Sequence, residues 1–345
     1  MFRHPPLADG WIDSPHLRLD LGDLPLESGE VLRDAFVSYV IHGDPARLPH
    51  AAILVTTAIG STHHRLDFLI GPGNALDTTR HCVVVIDALG NGLSSSPSNS
   101  ATQPGHQFPR LTIRDMVASQ HRLLDHLGVQ RLQAVVGASM GGMQALQWGV
   151  SHPQRMAALV AITPMARTAR WSQLVNELSR RALFSDAPCH TARPREEAMR
   201  LWAPLTQWVI PSTPAALQQL DTAEALMAAI EQRTQQLIEH GPDPFDWCCQ
   251  TWAYDAHDVG GTPGCDGDTL RALARIQAQT LVLAPALDLY NPAIDARFAT
   301  EHIANARFVE LPGVAGHASA SGAAAAPTTV LRDEVRRFLL ASSGA

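Results

Sequence analysis

Residues 135–143 read Val-Val-Gly-Ala-Ser-Met-Gly-Gly-Met, a G-x-S-x-G pattern between a β-branched run and an apolar, helix-like stretch. A tight strand-to-helix turn of this kind holds a serine hydroxyl proud of a sheet edge. Neighbours without a Cβ let strand and helix close around it. The bare pattern arises by chance in roughly one chain in ten of this size, and the strand before and helix after reduce that about tenfold. Ser139 is therefore read as a nucleophile. The N–H of Met140, at the start of the helix, is read as a donor to a developing oxyanion.

A serine hydroxyl needs a base oriented by an acid, and in strand–turn–helix sites of this type the order along the chain is Ser, acid, His. Asp288 follows the apolar run TLVLAP, and His317 lies in a glycine-flanked loop after ARFVEL. Both are where a parallel sheet gathers its ligand-facing loops. Asp295 is the alternative acid but falls within the next helical stretch, and among the other histidines His302 looks helical and His240 lies in a different region. The second oxyanion donor is expected from the loop after AILVTT, at the N–H of Ala58. His63 and His64 are adjacent in sequence, are expected to face different ways, and make a poor metal pair. No metal or cofactor is expected.

These residues need a scaffold that brings loop ends together. Apolar, mostly β-branched runs at 35–41, 52–57, 82–87, 132–137, 157–162, 280–285 and 306–311 suit strands buried on both faces of a parallel sheet. Helical patterns alternate with several of them. One opens on the capping box Thr112-Ile-Arg-Asp115, runs through Met116, Gln120, Leu123 and Leu124, and stops at Gly128. The fold class expected is α/β, a mostly parallel doubly wound sheet. Residues 165–265 contain no convincing strand and show helical spacing over 215–240, which reads as a helical lid inserted into a core of residues 1–164 and 266–345. The run ASASGAAAAPT at 318–328 is low in complexity and reads as a mobile turn.

Composition narrows the chemistry further. The chain has 345 residues, 46% hydrophobic and 17% charged, with a net charge of −7, and all 26 of its Lys+Arg residues are arginine. That excludes a Schiff-base lysine, a phosphate-loop lysine and a lysine general base. The acidic balance argues against nucleic acid as a partner. Five cysteines at 82, 189, 248, 249 and 265 form no C-x-x-C pair and read as free thiols in a reducing cytoplasm. No stretch reaches the ~18 apolar residues of a membrane span. MFRHPPLADGWIDSPH lacks the apolar core of a signal peptide, so a cytoplasmic location is expected.

LIGPGNALDTTRH (69–81), FPRLTIRDMVASQHRLLDHLG (108–128) and GASMGGMQALQWGVSHP (137–153), in this order and spacing, resemble the homoserine O-acetyltransferase family of α/β-hydrolases. The similarity covers most of residues 35–164 and 250–317. The resemblance implies an α/β-hydrolase fold with a helical lid, a serine acyl-enzyme and a homodimer. It matches Ser139, Asp288 and His317 to the family triad, and Ala58 with Met140 to its oxyanion hole. Two departures bear on activity. Where the transferases carry an aspartate after the catalytic histidine, this chain has Ala318, and the run Asn91-Gly-Leu-Ser-Ser-Ser-Pro-Ser-Asn99 is similar to the branch that hydrolyses small alkyl acetates. Arg200 aligns with a lid arginine that binds the acceptor carboxylate in transferases; the other reading of Arg200 is a surface lid arginine. The expected activity is a carboxylesterase acting on small, acetyl-type esters; the alternative is an acyl-CoA-dependent O-acyltransferase using the same acyl-enzyme. A non-catalytic binding protein is the third possibility, disfavoured by the intact order of Ser, Asp and His.

Overall fold

The computed structural model describes residues 4–184 and 193–342, so Cys189 lies outside the described residues. Eight strands form one sheet: β1 Leu17–Pro25, β2 Val31–His42, β3 Ala52–Thr56, β4 Cys82–Ile86, β5 Leu132–Ala138, β6 Met156–Ile162, β7 Gln279–Pro285 and β8 Ala306–Leu311. Their spatial order is β1-β2-β4-β3-β5-β6-β7-β8. From β4 through β8 every pairing is parallel. The loops after β3, β5, β7 and β8 therefore leave from the same edge.

The near-continuous apolar strands follow from a sheet covered on both sides. Leu54, Val84, Ile86 and Val135 face one core, with Met116, Leu123 and Leu124 of α1 (Ile113–His126) and Met143 and Leu146 of α2 (Met140–Ser151). Ile53, Val55, Val83, Val85, Ala134 and Val136 face the other, with Leu331, Val335 and Phe338 of the C-terminal helix. Helix α1 begins on the expected capping box. The Thr112 hydroxyl accepts from Asp115 N, and the Asp115 carboxylate accepts from Thr112 N. Its chain reverses at Gly128, whose φ is 72°.

Between β6 and β7 the described residues form helices and no strand of the sheet. They include α3 Arg170–Leu183, α4 Glu196–Pro204, α5 Pro214–Leu217, α6 Ala223–His240 and α7 Pro244–Asp255. Beyond β7 come α8 Ala293–Glu301 and α9 Ala325–Ser342. No helix among the described residues is long and apolar enough to cross a membrane.

Four local expectations need correction. The 35–41 run is part of β2, which pairs antiparallel with both β1 and β4. Strands buried on both faces give the same apolar signature whichever way they run. β1 gives no apolar run because it lies on an exposed edge with only Leu21 and Leu24 buried. The helical spacing of 215–240 is broken into α5 and α6, because Thr222 offers a fresh N-cap whose hydroxyl accepts from Ala225 N. Residues 318–328 are not one mobile turn: Gly316–Ser321 forms a 3-10 turn with Ser319 and Ala320 buried, Gly322 takes φ 78°, and α9 has begun by Ala325.

The join of β5 and α2 is the tightest point in the sheet. A Cβ at Gly137 would lie 2.2 Å from the carbonyl oxygen of Gly141 and 2.3 Å from Thr56 Oγ1, and one at Gly141 would lie 2.3 Å from the carbonyl oxygen of Thr56. Backbone cannot move aside as a flexible side chain could. Gly137→Ala is expected to cost about 3 kcal/mol or more of unfolding free energy, or to prevent folding. Urea denaturation measures it; unchanged stability would show that the turn has room for a Cβ.

Candidate active site

Ser139 closes β5 with φ 58° and ψ −122°, a conformation that non-glycine residues rarely hold. It is fastened on both sides, its N–H donating to Ile162 O at 2.9 Å and its carbonyl accepting from Met143 N at 3.0 Å. The turn delivers Ser139 Oγ to 2.8 Å from His317 Nε2. His317 Nδ1 lies 2.8 Å from Asp288 Oδ2. The other carboxylate oxygen, Asp288 Oδ1, accepts from the N–H groups of Tyr290 and Asn291 at 2.9 and 2.8 Å. An ionised carboxylate only accepts, so Nδ1 carries the imidazole proton and Nε2 presents its lone pair to the serine hydroxyl. The structure thus brings Ser139, Asp288 and His317 into one hydrogen-bonded chain. Their residues are 1%, 4% and 5% exposed, so the chain is sheltered from water.

Asp288 is also a turn former, and its loop rests on a buried polar network. Asn291 Nδ2 donates to Thr163 O at 2.6 Å, and the Tyr254 hydroxyl donates to Asn291 Oδ1. The Tyr290 hydroxyl donates to Asn176 Oδ1 at 2.7 Å, while the Tyr290 ring stands edge-on to the His317 ring, 5.2 Å between centroids. Burial pushes both tyrosine hydroxyls up, which keeps them neutral donors. Asp295 lies on α8, away from this bonding pattern, and His302 caps that helix with Nδ1 on Phe298 O. His240 ends α6 at the surface.

Met140 is the first residue of α2, where an N–H has no partner within the helix. Ala58 follows β3 and is buried. Its loop is tied to α2 through Gln144, whose amide donates to Thr57 O at 2.9 Å and is itself held by Gln120, which accepts from Trp148 Nε1. Gln120, Gln144, Asn176 and Asn291 were not singled out from the sequence as site-bearing; uncharged amides carry no spacing signal of their own.

The helical region between β6 and β7 reaches three of these loops. Gln250 on α7 accepts from Gly60 N at 2.8 Å, beside Ala58. Pro211 O accepts from Ala318 N at 3.0 Å, and the Thr213 hydroxyl donates to Val314 O at 2.6 Å. A Cβ at Gly316 would lie 2.5 Å from the Thr213 methyl, so this region packs directly on the histidine loop. Arg200 sits on an exposed face of α4, where its guanidinium engages Glu231 at 2.7 Å and Glu196 at 3.2 Å.

The serine-rich run after β4 is spent on folding. Ser94 Oγ accepts from Ser38 N and Ser95 Oγ from Phe36 N, at 2.9 and 2.8 Å, continuing the β2 edge where the ladder ends. Ser98 donates through N–H and hydroxyl to Asp246 on α7. The four described cysteines are buried and free, and burial pushes the Cys82 thiol up to about 11. His63 and His64 do not face apart as expected. Both lie in a tight 3-10 turn, and their rings sit 4.2 Å apart, centroid to centroid.

Comparison with known proteins places these features in context. The model of the alpha/beta hydrolase fold matches residues 60–319. The chain is 29% identical over 315 residues to the ethyl acetate hydrolase of Pseudomonas veronii, covering 88% of this chain and 89% of that protein. It is 38% identical over 182 residues to the homoserine O-acetyltransferase of Symbiobacterium thermophilum, covering 47% of each, so it spans about half the length of that relative. The solved structure of the acetyl esterase MekB has a TM-score of 0.85 at 27% identity, covering 94% of this chain and 97% of that one.

Asp246 links α7 to the serine-rich run, and burial raises its carboxyl to about 7 despite the Ser98 donors. Folded Asp246 thus keeps its proton to about pH 7, whereas an unfolded aspartic acid loses it near ~3.9. The folded state binds the extra proton between those values, so stability contributed by this group falls as pH rises across the window and levels off above it. Chemical denaturation at pH 4.5 and 7.5 should show a decrease, and Asp246→Asn should flatten it by up to about 3 kcal/mol. An Asp246→Asn profile that matches the parent would remove Asp246 as the source.

Proposed function

The chain belongs to the alpha/beta hydrolase fold family, and on that premise we propose that it is a serine carboxylesterase acting on short-chain, acetyl-type esters through an acyl-Ser139 intermediate. The observation that carries this reading is the chain of two 2.8 Å contacts from Ser139 Oγ through His317 to Asp288. His317 Nε2 takes the hydroxyl proton as Ser139 Oγ attacks the ester carbonyl. The N–H groups of Met140 and Ala58 receive the oxyanion that forms. His317 returns the proton to the departing alcohol, leaving an acyl-serine. A water then gives its proton to His317, attacks the acyl carbon through the same oxyanion site, and releases the acid as the proton passes back to Ser139. Asp288 keeps the imidazole in the tautomer that each step needs.

Hydrolysis and transfer share the acyl-enzyme and differ in what attacks it. Next to the base stands Ala318, which offers a methyl group where an acceptor amine would need an anion. A carboxylate there would supply a charge-assisted hydrogen bond worth roughly 1.5–3 kcal/mol. Arg200, with its guanidinium engaged by Glu196 and Glu231, has no acceptor-binding part in this reading. The near-complete burial of Ser139 favours a short acyl group. The likeness to the Pseudomonas veronii ethyl acetate hydrolase over most of both chains supports the same choice.

The second reading, an acyl-CoA-dependent O-acyltransferase, is favoured by the higher identity to a homoserine O-acetyltransferase over half the chain. A homodimer is supported by the exposed Trp171, Leu174 and Leu178, which share one face of α3.

Ser139→Ala and His317→Ala are each expected to lower kcat on p-nitrophenyl acetate by at least ~10³-fold, and the double variant little further, because the residues act as a unit. Near-parental turnover in Ser139→Ala would move the nucleophile elsewhere. With ethyl acetate as donor and homoserine present, the parent enzyme should yield mostly free acetate. Ala318→Asp should raise the share of O-acetylhomoserine by about 10-fold or more. Mostly O-acetylhomoserine from the parent would hand the assignment to the transferase reading.

A further inference from the structure

Four histidine rings gather between the N-terminal segment and the turn after β3. Ring centroids lie 4.2 Å apart for His63 and His64, 4.6 Å for His16 and His63, 4.9 Å for His4 and His64, and 5.0 Å for His4 and His16. One ring nitrogen from each of His4, His63 and His64 falls within 4.8 Å of the other two. Trp11 stacks flat on His64 at 4.3 Å.

Two buried carboxylates orient the inner pair. Asp87, fully buried at the end of β4, accepts from His63 Nδ1 at 3.1 Å and also from His63 N, Ser38 Oγ and Asn91 Nδ2. Asp67 accepts from His64 Nδ1 at 2.6 Å and from Ile12 N at 2.8 Å. Each carboxylate accepts only, so each Nδ1 holds its proton and each Nε2 turns a lone pair into the cluster. His63 Nε2 is buried with no hydrogen-bond partner among the described residues. His64 Nε2 lies 2.9 Å from His4 Nε2. The His63 Nε2 lone pair, buried without a donor beside the His4–His64 contact, calls for a cation. Imidazole ligands whose far nitrogens are held by carboxylates are the outer-shell arrangement that suits zinc-type ions.

We infer that His4, His63 and His64, with His16 as the fourth ligand, form a site for a divalent transition-metal ion of the zinc class, which fastens the N-terminal segment to the turn after β3. An ion ~2.0 Å from each nitrogen needs tetrahedral N···N separations of about 3.3 Å, so the His4–His64 contact has to open only by about 0.4 Å. The role is structural. Among the described residues the site is linked to the Ala58 loop by the chain itself, by Asn91, which donates to Asp87 and to Ser61 O, and by the Ser61 hydroxyl, which donates to Ala58 O.

The test uses the full-length, untagged protein, stripped with chelator and titrated with Co²⁺ and then Zn²⁺. One cobalt ion per chain should bind with the visible bands of a tetrahedral site, and zinc should displace it. Zinc at 100 times its Kd should raise Tm by about 5 °C. His4→Gln, which alters only the half-buried N-terminal segment, should weaken binding by at least ~10-fold. His64→Gln should abolish the cobalt bands, and His121→Gln, in the separate His121–His152 stack, should leave them unchanged. Absence of both cobalt bands and a zinc-dependent Tm shift would overturn the inference. So would binding that survives both His4→Gln and His64→Gln, or that is lost in His121→Gln.

Discussion

The strained turn at Ser139 is the constraint on which the rest of the site depends. A non-glycine residue at φ 58° and ψ −122° costs on the order of 1–3 kcal/mol and persists only where its surroundings over-determine it. Here they do. β3 approaches so closely that neither Gly137 nor Gly141 has room for a Cβ, and the Thr56 hydroxyl donates to Gly141 O at 2.8 Å. β6 accepts the Ser139 N–H. A hydroxyl placed this way stands clear of its own helix and reaches His317, with the α2 N-terminus beginning at the next residue. Two further loops at the same edge of the parallel sheet then bring His317 and Asp288 into line with it.

Sheet and helical region divide the remaining work. The sheet's loops carry Ser139, Asp288 and His317, and the helical region packs on the loops after β3 and β8 through Pro211, Thr213 and Gln250. Beneath the acid, Asn176, Tyr254, Tyr290 and Asn291 satisfy one another's polar groups, which is what makes so polar a floor tolerable in the interior. Asn176 also donates to Asp255, which pairs with Arg180 at 2.7 Å, so the same network joins α3 to α7. The contact of α3 with α7 and the position of the Asp288 loop therefore rest on the same network.

Sequence legibility followed locality. The Ser139 turn, the Thr112 capping box and the buried parallel strands are written in contiguous residues, and they were readable. Asp288 and His317 could be singled out because each follows a strand run, not because of their own surroundings. What escaped was non-local. The direction of β2 depends on a partner strand whose half-exposed pattern is weak. The serines after β4, singled out for their family resemblance, turn out to finish the β2 edge and to hold α7. Two adjacent histidines give no hint that a 3-10 turn aligns them or that residues 4 and 16 come to meet them.

The central claim is that Ser139 carries the acyl group and that water removes it. Rapid quenching during steady turnover of p-nitrophenyl acetate, followed by peptide mass spectrometry, tests it directly. The account predicts one acetyl group, on the peptide containing Ser139, decaying after substrate exhaustion at a rate no slower than kcat while acetate appears in step. Acetylation confined to another residue, or an acetyl-Ser139 that persists in water until an alcohol acceptor is added, would contradict it.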